Sequence, residues 1–415
     1  MNAIDTFEAQ DRAPFAFDGF ASLIAPLGQQ RFLDEYWERK PFVIRRGHGH
    51  GCAGYFDSLL SMAAVDALVG NAVLREADIR IANGHKKRLF AEFSRDGVAD
   101  RRALLREHAA GATLVFDQID RLHAPLDRAL ARCEVDLQLP CRANAFLTPP
   151  GQQGFHLHYD THDVVILQLA GTKDWQICDS PLALPHEEQQ YDHALSAIAK
   201  PLASLTLHPG DVLFMPRGFI HAASAGATTS LHVSIALRTR ALREVAVSAL
   251  GRAAQESPSL RKAALFRHGR SEQVHQARAE LHRLVDRLDL GAAFDEVLKS
   301  FVLQRDRPRD GALLAHEAAT EFAHAPAAEP ASAIGQDTSL RLRPECLFHA
   351  FAEGGNLRLA IDGQSIALPA GVRPALELIG RGARFHARAL PGLEEESRLL
   401  LVRKLHQAGM IALHD

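Results

Sequence analysis

Residues 163–177 carry the clearest signal for the fold, and they read DVVILQLAGTKDWQI. A short β-branched apolar run is followed by a glycine turn and then by a second short run. The same alternation of runs with Gly, Pro or Asp turns returns in LTLHPGDVLFMPRG (205–218) and TSLHVSIAL (229–237). Short strands at this spacing, without helical periodicity between them, are typical of an all-β barrel or sandwich. We place the core of this barrel at residues 143–237.

The flanking regions are predicted to be helical or mixed, so the chain is assigned to the α+β class. Residues 20–46 predict a helix that Pro41 stops, followed by a short strand. Helical periodicity continues beyond the barrel, and an Ala-, Pro- and Glu-rich linker follows. The tail alternates strands with two helices, as a winged helix does. The predicted divisions are the catalytic domain 1–237, a helical region 238–306, the linker 307–338 and the winged-helix-like domain 339–415.

Composition limits the classes of function. At 415 residues the chain suits two or three domains. With 47 basic and 50 acidic residues, the formal charge of −3 argues against a protein that mainly coats nucleic acid or an anionic membrane. The five cysteines form no CxxC pair, which indicates a reducing compartment and disfavours a structural zinc site. Met1–Phe17 has no apolar signal-like core, so we expect a cytoplasmic protein without a membrane segment.

A metal site is predicted from three side chains within the barrel. His158 and Asp160 are two positions apart, so on an extended strand both point to one side. His221 follows a Pro-Arg-Gly turn that can hold its strand in register with theirs. Two imidazoles and one carboxylate leave coordination positions open, which is the ligand set of non-haem Fe(II) oxygenases. The sequence therefore predicts an iron site at His158, Asp160 and His221.

Lys173 indicates which cosubstrate would accompany the iron. It begins the strand after the glycine turn and shares a face with Trp175 and Ile177. A lysine that points into a barrel is costly unless it meets an anion. The distal carboxylate of 2-oxoglutarate would be such an anion, while its keto-acid end chelates the metal. Further pocket-lining candidates on neighbouring strands are Asn144, Thr148, His232 and Ser234.

A rival ligand set stays open at this point. His156 and His158 form the HxH of plain cupins, and Asp163 stands near the place of the cupin carboxylate ligand. With His221 they would make a four-ligand site, which leaves less room for a chelating cosubstrate. We favour the HxD set because only that set gives Lys173 a role.

Four motifs together resemble one family. They are EYWERKPFVIRR (35–46), NAFLTPPGQQGF (144–155) followed by HYD, GTKDW (171–175) and GDVLFMPRGFIH (210–221). The chain resembles the JmjC-type 2-oxoglutarate oxygenases of the cupin superfamily, and within them the ribosomal oxygenases. One departure is His156-Leu157, where close relatives have Pro-Pro just before the HxD.

The resemblance implies a double-stranded β-helix barrel that uses Fe(II) and 2-oxoglutarate, with Lys173 as the oxoglutarate-binding base. It also implies hydroxylation of a protein side chain, His or Arg of a ribosomal protein, and a homodimer formed through the helical region. The residues alone leave three other functions open. They are hydroxylation of a peptide or small natural product, a metal-dependent cupin enzyme without 2-oxoglutarate, and a non-catalytic regulator. The tail holds ten basic and eight acidic residues between 341 and 415, which is no strong nucleic-acid signal.

Overall fold

The computed structural model describes residues 4–9, 15–47, 51–83, 86–264, 269–305, 307 and 334–413. The chain forms two compact units, Met1–Thr239 and Arg240–Asp415. Most of the predicted linker 307–338 lies outside the described residues.

The first unit is built mainly of β-strands. Its strands are β1 (Asp5–Ala9), β2 (Phe42–Arg46), β3 (Ile79–Asn83), β4 (Lys86–Lys87), β5 (Ser94–Arg95), β6 (Val98–Ala99), β7 (Thr113–Phe116), β8 (Cys141–Thr148), β9 (Asp163–Ala170), β10 (Lys173–Cys178), β11 (Pro201–Leu207), β12 (Val212–Met215), β13 (His221–Ala225) and β14 (Ser230–Leu237). Its α-helices are α1 (Phe20–Leu23), α2 (Gln29–Glu35), α3 (Met62–Asn71), α4 (Arg101–Ala109) and α5 (Ala124–Leu137).

Two sheets face each other and form the predicted barrel. The larger sheet has the strand order β1-β2-β12-β9-β14-β8-β7-β3-β4, and the smaller one has the order β11-β10-β13. Strand β9 shows why its sequence is apolar without alternation. Val165 and Leu167 lie in the core on the helical side of the sheet, whereas Val164 and Ile166 face the smaller sheet. Both faces of β9 are therefore buried, as a continuous apolar run indicates.

The entry into the barrel differs in detail from the predicted single helix. The structure breaks that helix into α1 and α2, because Pro26 lacks an amide hydrogen and Gly28 takes the positive φ of 79° before α2. Phe32 on α2 then packs edge-on against Phe214 of β12, with ring centroids 4.9 Å apart. Phe42 stacks on the same Phe214 ring at 5.3 Å. This aromatic contact fixes the N-terminal segment against the barrel.

We expect the Phe214→Ala variant to lose about 3–5 kcal/mol of unfolding free energy, because the ring is fully buried and its loss leaves a cavity. Urea unfolding followed by circular dichroism measures the change. The control is Leu89→Ala, which removes a largely exposed side chain and should shift stability by less than about 0.5 kcal/mol. Equal shifts in the two variants would contradict the central place of Phe214 in the core.

The second unit combines three longer helices with small sheets. Its helices are α6 (Leu242–Glu256), α7 (Arg270–Val285), α8 (Leu290–Gln304), α9 (Arg373–Gly380) and α10 (Glu395–Gln407). Its strands are β15 (Ser339–Leu342), β16 (Phe348–Glu353), β17 (Asn356–Ile361), β18 (Gln364–Leu368), β19 (Phe385–His386) and β20 (Ile411–Leu413). The predicted turn at Asp362-Gly363 joins β17 to β18. Within the described parts of the chain, no helix is long and apolar enough to cross a membrane.

Candidate metal centre and adjoining cavity

The three predicted ligands converge at one point of the barrel. One ligand atom each from His158, Asp160 and His221 lies within 4.8 Å of the others. The His221 Nε2 and Asp160 Oδ2 atoms are 3.9 Å apart. His158 and His221 are linked by backbone hydrogen bonds in both directions, of 2.8 and 3.1 Å. Side-chain rotations of about 1 Å would bring atoms at this separation to the bond lengths of about 2.1 Å that a single ion requires.

Hydrogen bonds orient both imidazole rings for metal binding. The Nδ1 of His158 donates to the carbonyl of His156 at 2.7 Å, and the Nδ1 of His221 donates to the carbonyl of Phe219 at 2.9 Å. Each ring is therefore held as the tautomer whose Nε2 carries the lone pair. Burial and the nearby His158 lower the pKa of His221 to about 4, so the ring is neutral at pH 7. Neutral imidazole is the form that binds a metal.

The carboxylate completes the donor set. Burial raises the pKa of Asp160, but the nearby His221, His162 and His158 lower it by a larger amount. The pKa of Asp160 is therefore below its usual value. About a third of its side chain is exposed toward the cavity. An ionised oxygen that remains accessible can serve as a ligand.

A glycine turn places His221 opposite the HxD segment. Gly218 has a φ of +89°, and a Cβ at this position would come within 2.5 Å of Ser180 Oγ. Its amide donates to the carbonyl of Asp160 at 3.1 Å. The Pro-Arg-Gly sequence is thus suited to a close backbone approach that only glycine permits.

Lys173 lies in the same cavity as the triad. The cavity has a volume of about 290 Å³. Lys173 is 4% exposed, and its Nζ donates to Thr148 Oγ1 at 3.1 Å and lies 3.3 Å from His232 Nδ1. Burial lowers the pKa of Lys173 to about 7. Among the residues that the structure describes, no carboxylate forms an ion pair with it.

Three of the four further candidates, Asn144, His232 and Ser234, line the cavity, whereas Thr148 is fully buried and lies behind Lys173 as its hydrogen-bond acceptor. Asn144 Oδ1 accepts the Gln118 amide at 2.9 Å, so part of this side chain holds the backbone. His232 stacks on Phe146 with centroids 4.6 Å apart, and burial, aided by Lys173, lowers its pKa well below the usual value. Ser234 follows two positions later on the same face of β14.

Trp175 contributes an unsatisfied donor. Its side chain is buried and lines the cavity, and its Nε1 has no hydrogen-bond partner in the described part of the chain. A buried N–H without a partner is costly. Trp175 and Lys173 lie on one face of β10, and both line the cavity.

The structure separates the two candidate ligand sets. Bends at residues 154, 155 and 157 interrupt the extended backbone, so His156 and His158 are not adjacent members of one strand face. Asp163 is fully buried, and its Oδ2 accepts Arg217 Nη1 at 2.8 Å. Burial raises the pKa of Asp163 to about 6, although Arg217 opposes this. Neither His156 nor Asp163 belongs to the group of converging ligand atoms.

The cavity-lining residues that the sequence did not predict include Arg80, Phe155 and His162. Arg80 pairs with both oxygens of Asp117 and lies over the Phe155 ring, 5.9 Å from its centroid. The Phe155 ring also packs beside the His158 ring, with the ring centroids 5.8 Å apart. His162 lines the same cavity, and burial lowers its pKa. The only available signal was for His162 and Phe155, which flank the HxD in sequence.

Comparison with known proteins identifies the domain that contains this site. Residues 118–245 match the model of the JmjC domain. The chain carries a JmjC domain. His158, Asp160, Lys173 and His221 all lie within the matched residues.

The curated relatives of the chain include ribosomal oxygenases. The chain is 34% identical over 222 residues to "Ribosomal oxygenase 2" of Mus musculus, which covers 52% of this chain and 46% of that protein. It thus spans about half the length of such relatives. The fold is similar to the crystal structure of the Escherichia coli ribosomal oxygenase YcfD, with a TM-score of 0.53, 20% identity and coverage of 94% and 98% of the two chains. The same E. coli protein has been solved with cobalt and 2-oxoglutarate, and this form has a TM-score of 0.52, 19% identity and coverage of 93% and 98%.

Proposed function

We propose that this protein is an Fe(II)- and 2-oxoglutarate-dependent oxygenase that hydroxylates a protein side chain. The observation that carries the proposal is the buried Lys173, which meets no described carboxylate yet lies in the same cavity as the triad. A buried cation of this kind is stabilised by an anionic ligand. A 2-oxoglutarate molecule that chelates the metal would bring its distal carboxylate to this end of the cavity.

Each residue of the site then has a defined task. His158, Asp160 and His221 hold the metal. Lys173 binds the distal carboxylate, and Thr148 and His232 hold its ammonium group in place. Lys173, Thr148 and His232 lie apart from the three metal ligands, so the cosubstrate would span the cavity from the metal to Lys173.

The other walls exclude water and admit the substrate. Iron with 2-oxoglutarate and O₂ supplies an oxidative decarboxylation to succinate and CO₂ that inserts one oxygen atom into an unactivated C–H bond. Phe146 and Trp175 line the cosubstrate end and shield it from water. Arg80 and His162 leave polar groups at the part of the cavity near Asp160, where a side chain of the substrate would enter.

We assign a ribosomal protein as substrate, with His or Arg as the hydroxylated residue and the cytoplasm as the location. Relatives that carry the name ribosomal oxygenase support the substrate class. Incubation of candidate ribosomal proteins with Fe(II), 2-oxoglutarate and this enzyme, followed by mass spectrometry, tests the assignment. We expect a mass increase of one oxygen atom on one protein, coupled to succinate release. Succinate release without any modified ribosomal protein would reject this substrate class but retain the oxygenase.

We further propose that the protein is a homodimer formed through residues 238–306 and that residues 339–415 are a winged-helix-like packing module. The support for the dimer is apolar exposure on the second unit's helices. Val274, Leu281 and Val285 of α7 are exposed and lie at a spacing that aligns them on one side of the helix. Exposed apolar side chains in such a stripe are typical of a protein interface.

The Leu281→Glu variant should elute as a monomer, because a carboxylate within an apolar interface is left without solvent or partner. Size-exclusion chromatography with light scattering measures the molar mass. Gln276→Glu on the opposite side of α7 is the control and should keep the wild-type mass. A wild-type protein that is monomeric would reject the dimer.

A further inference from the structure

The turn just before His221 is tied to the HxD segment by a buried ionic group outside the ligand set. Arg217 is 7% exposed and Asp163 is fully buried. Two bonds join them, from the Arg217 amide to Asp163 Oδ1 at 3.1 Å and from Arg217 Nη1 to Asp163 Oδ2 at 2.8 Å. The other side of the guanidinium meets Glu38 Oε1 at 2.6 Å.

These three residues join three separate parts of the first unit. Asp163 opens β9 three positions after Asp160, and Arg217 lies in the turn between β12 and β13, four positions before His221. Glu38 lies between α2 and β2 and has a φ of +57°, which is unusual for a residue with a side chain. The group therefore connects the N-terminal segment to both segments that supply metal ligands.

The turn before His221 also bonds directly to the backbone of the ligand Asp160. The amide of Gly218, next to Arg217, donates to the carbonyl of Asp160. Freeing Arg217 would release this turn and with it the spacing between Asp160 and His221. Groups that fix the position of metal ligands typically change metal affinity by about 10- to 100-fold when they are removed.

We propose that Asp163, Arg217 and Glu38 are positioning residues of the metal centre, which hold the His221 turn against the HxD segment and thereby set metal affinity. The inference rests on the metal site of the proposed function but not on its cosubstrate or substrate. Asp163 acts through Arg217 and binds no metal itself.

The test is a Co²⁺ titration of the full chain without 2-oxoglutarate, followed by absorbance and by calorimetry. Asp163→Asn keeps the shape of the side chain but loses its charge, and we expect its Co²⁺ affinity to fall by about tenfold or more. Glu38→Gln should show a smaller fall, because Arg217 keeps both bonds to Asp163. Thermal unfolding of each metal-free variant shows whether it is folded at the assay temperature.

Asp211→Asn is the matched control. Asp211 is also fully buried and is also bonded to an arginine and to backbone amides, through Arg45, the Arg46 amide and the His208 amide. It lies at the other end of β12, away from the ligands. We expect a loss of thermal stability with unchanged Co²⁺ affinity.

The outcomes separate the possible explanations. Equal losses of affinity in Asp163→Asn and Asp211→Asn would overturn the inference, because general destabilisation would then account for both. An unchanged affinity in Asp163→Asn would overturn it as well, while leaving the proposed function intact. Wild-type protein that fails to bind Co²⁺ would overturn both the inference and the metal centre on which the proposed function depends.

Discussion

The Asp160→Ala variant is expected to lose its metal and to show hydroxylation at background level, a fall on the order of 10³-fold or more. The physical reason is the charge of the donor set. His158 and His221 offer imidazole nitrogens, so Asp160 is the only anionic donor of the group. Without it, two imidazoles remain for a divalent ion. Metal content by mass spectrometry and succinate formation together measure the loss.

The His156→Ala variant is the matched comparison for this prediction. If the cupin-type set held the metal, His156 would be a ligand and Asp160 would be dispensable. The converging atoms belong to His158, Asp160 and His221, so we expect His156→Ala to keep its metal and most of its activity. The reverse pattern, with metal lost in His156→Ala and kept in Asp160→Ala, would refute the HxD assignment.

The local part of the site could be predicted from the sequence because short-range rules decide it. His158 and Asp160 project to one side wherever the backbone is extended, and Gly218 allows the close approach that brings His221 to them. The strands of the barrel were predictable for the same reason. Runs of residues buried on both faces, such as β9, stand out between Gly and Pro turns.

Long-range pairing explains what the sequence could not reveal. Arg80 reaches the cavity because β3 pairs with β7 and β7 pairs with β8, which is a register that no local pattern specifies. Asp163 was an open choice because its partner, Arg217, is 54 residues away in sequence. Asn144 similarly appeared only as a pocket residue, whereas its side chain also holds the Gln118 amide.

The Lys173→Met variant should bind 2-oxoglutarate at least about 30-fold more weakly, because removing one partner of a buried charge pair costs about 2–5 kcal/mol. Methionine keeps the length of the side chain, so Co²⁺ binding without 2-oxoglutarate should be unchanged. The Michaelis constant for 2-oxoglutarate, followed by succinate formation, measures the effect. An unchanged Michaelis constant would remove 2-oxoglutarate from this end of the cavity and favour a cupin reaction that does not use it.

Although Lys173→Met should weaken 2-oxoglutarate binding, it should raise the stability of the ligand-free protein. The pH dependence of stability shows whether the buried amine is the cause. Burial lowers the pKa of Lys173 from 10.5 to about 7, so between these values the unfolded chain holds a proton that the ligand-free folded chain has released. Stability of the ligand-free wild type should therefore rise with pH from about 7 to 10.5 through this group, and Lys173→Met should lack that slope. Affinity for 2-oxoglutarate should fall over the same range, approaching tenfold per pH unit, because only the protonated lysine attracts the carboxylate. Thermal unfolding and 2-oxoglutarate titration at pH 6.5 and 8.5 test both slopes, and a wild-type affinity that does not change with pH would show that Lys173 does not bind the cosubstrate as a cation.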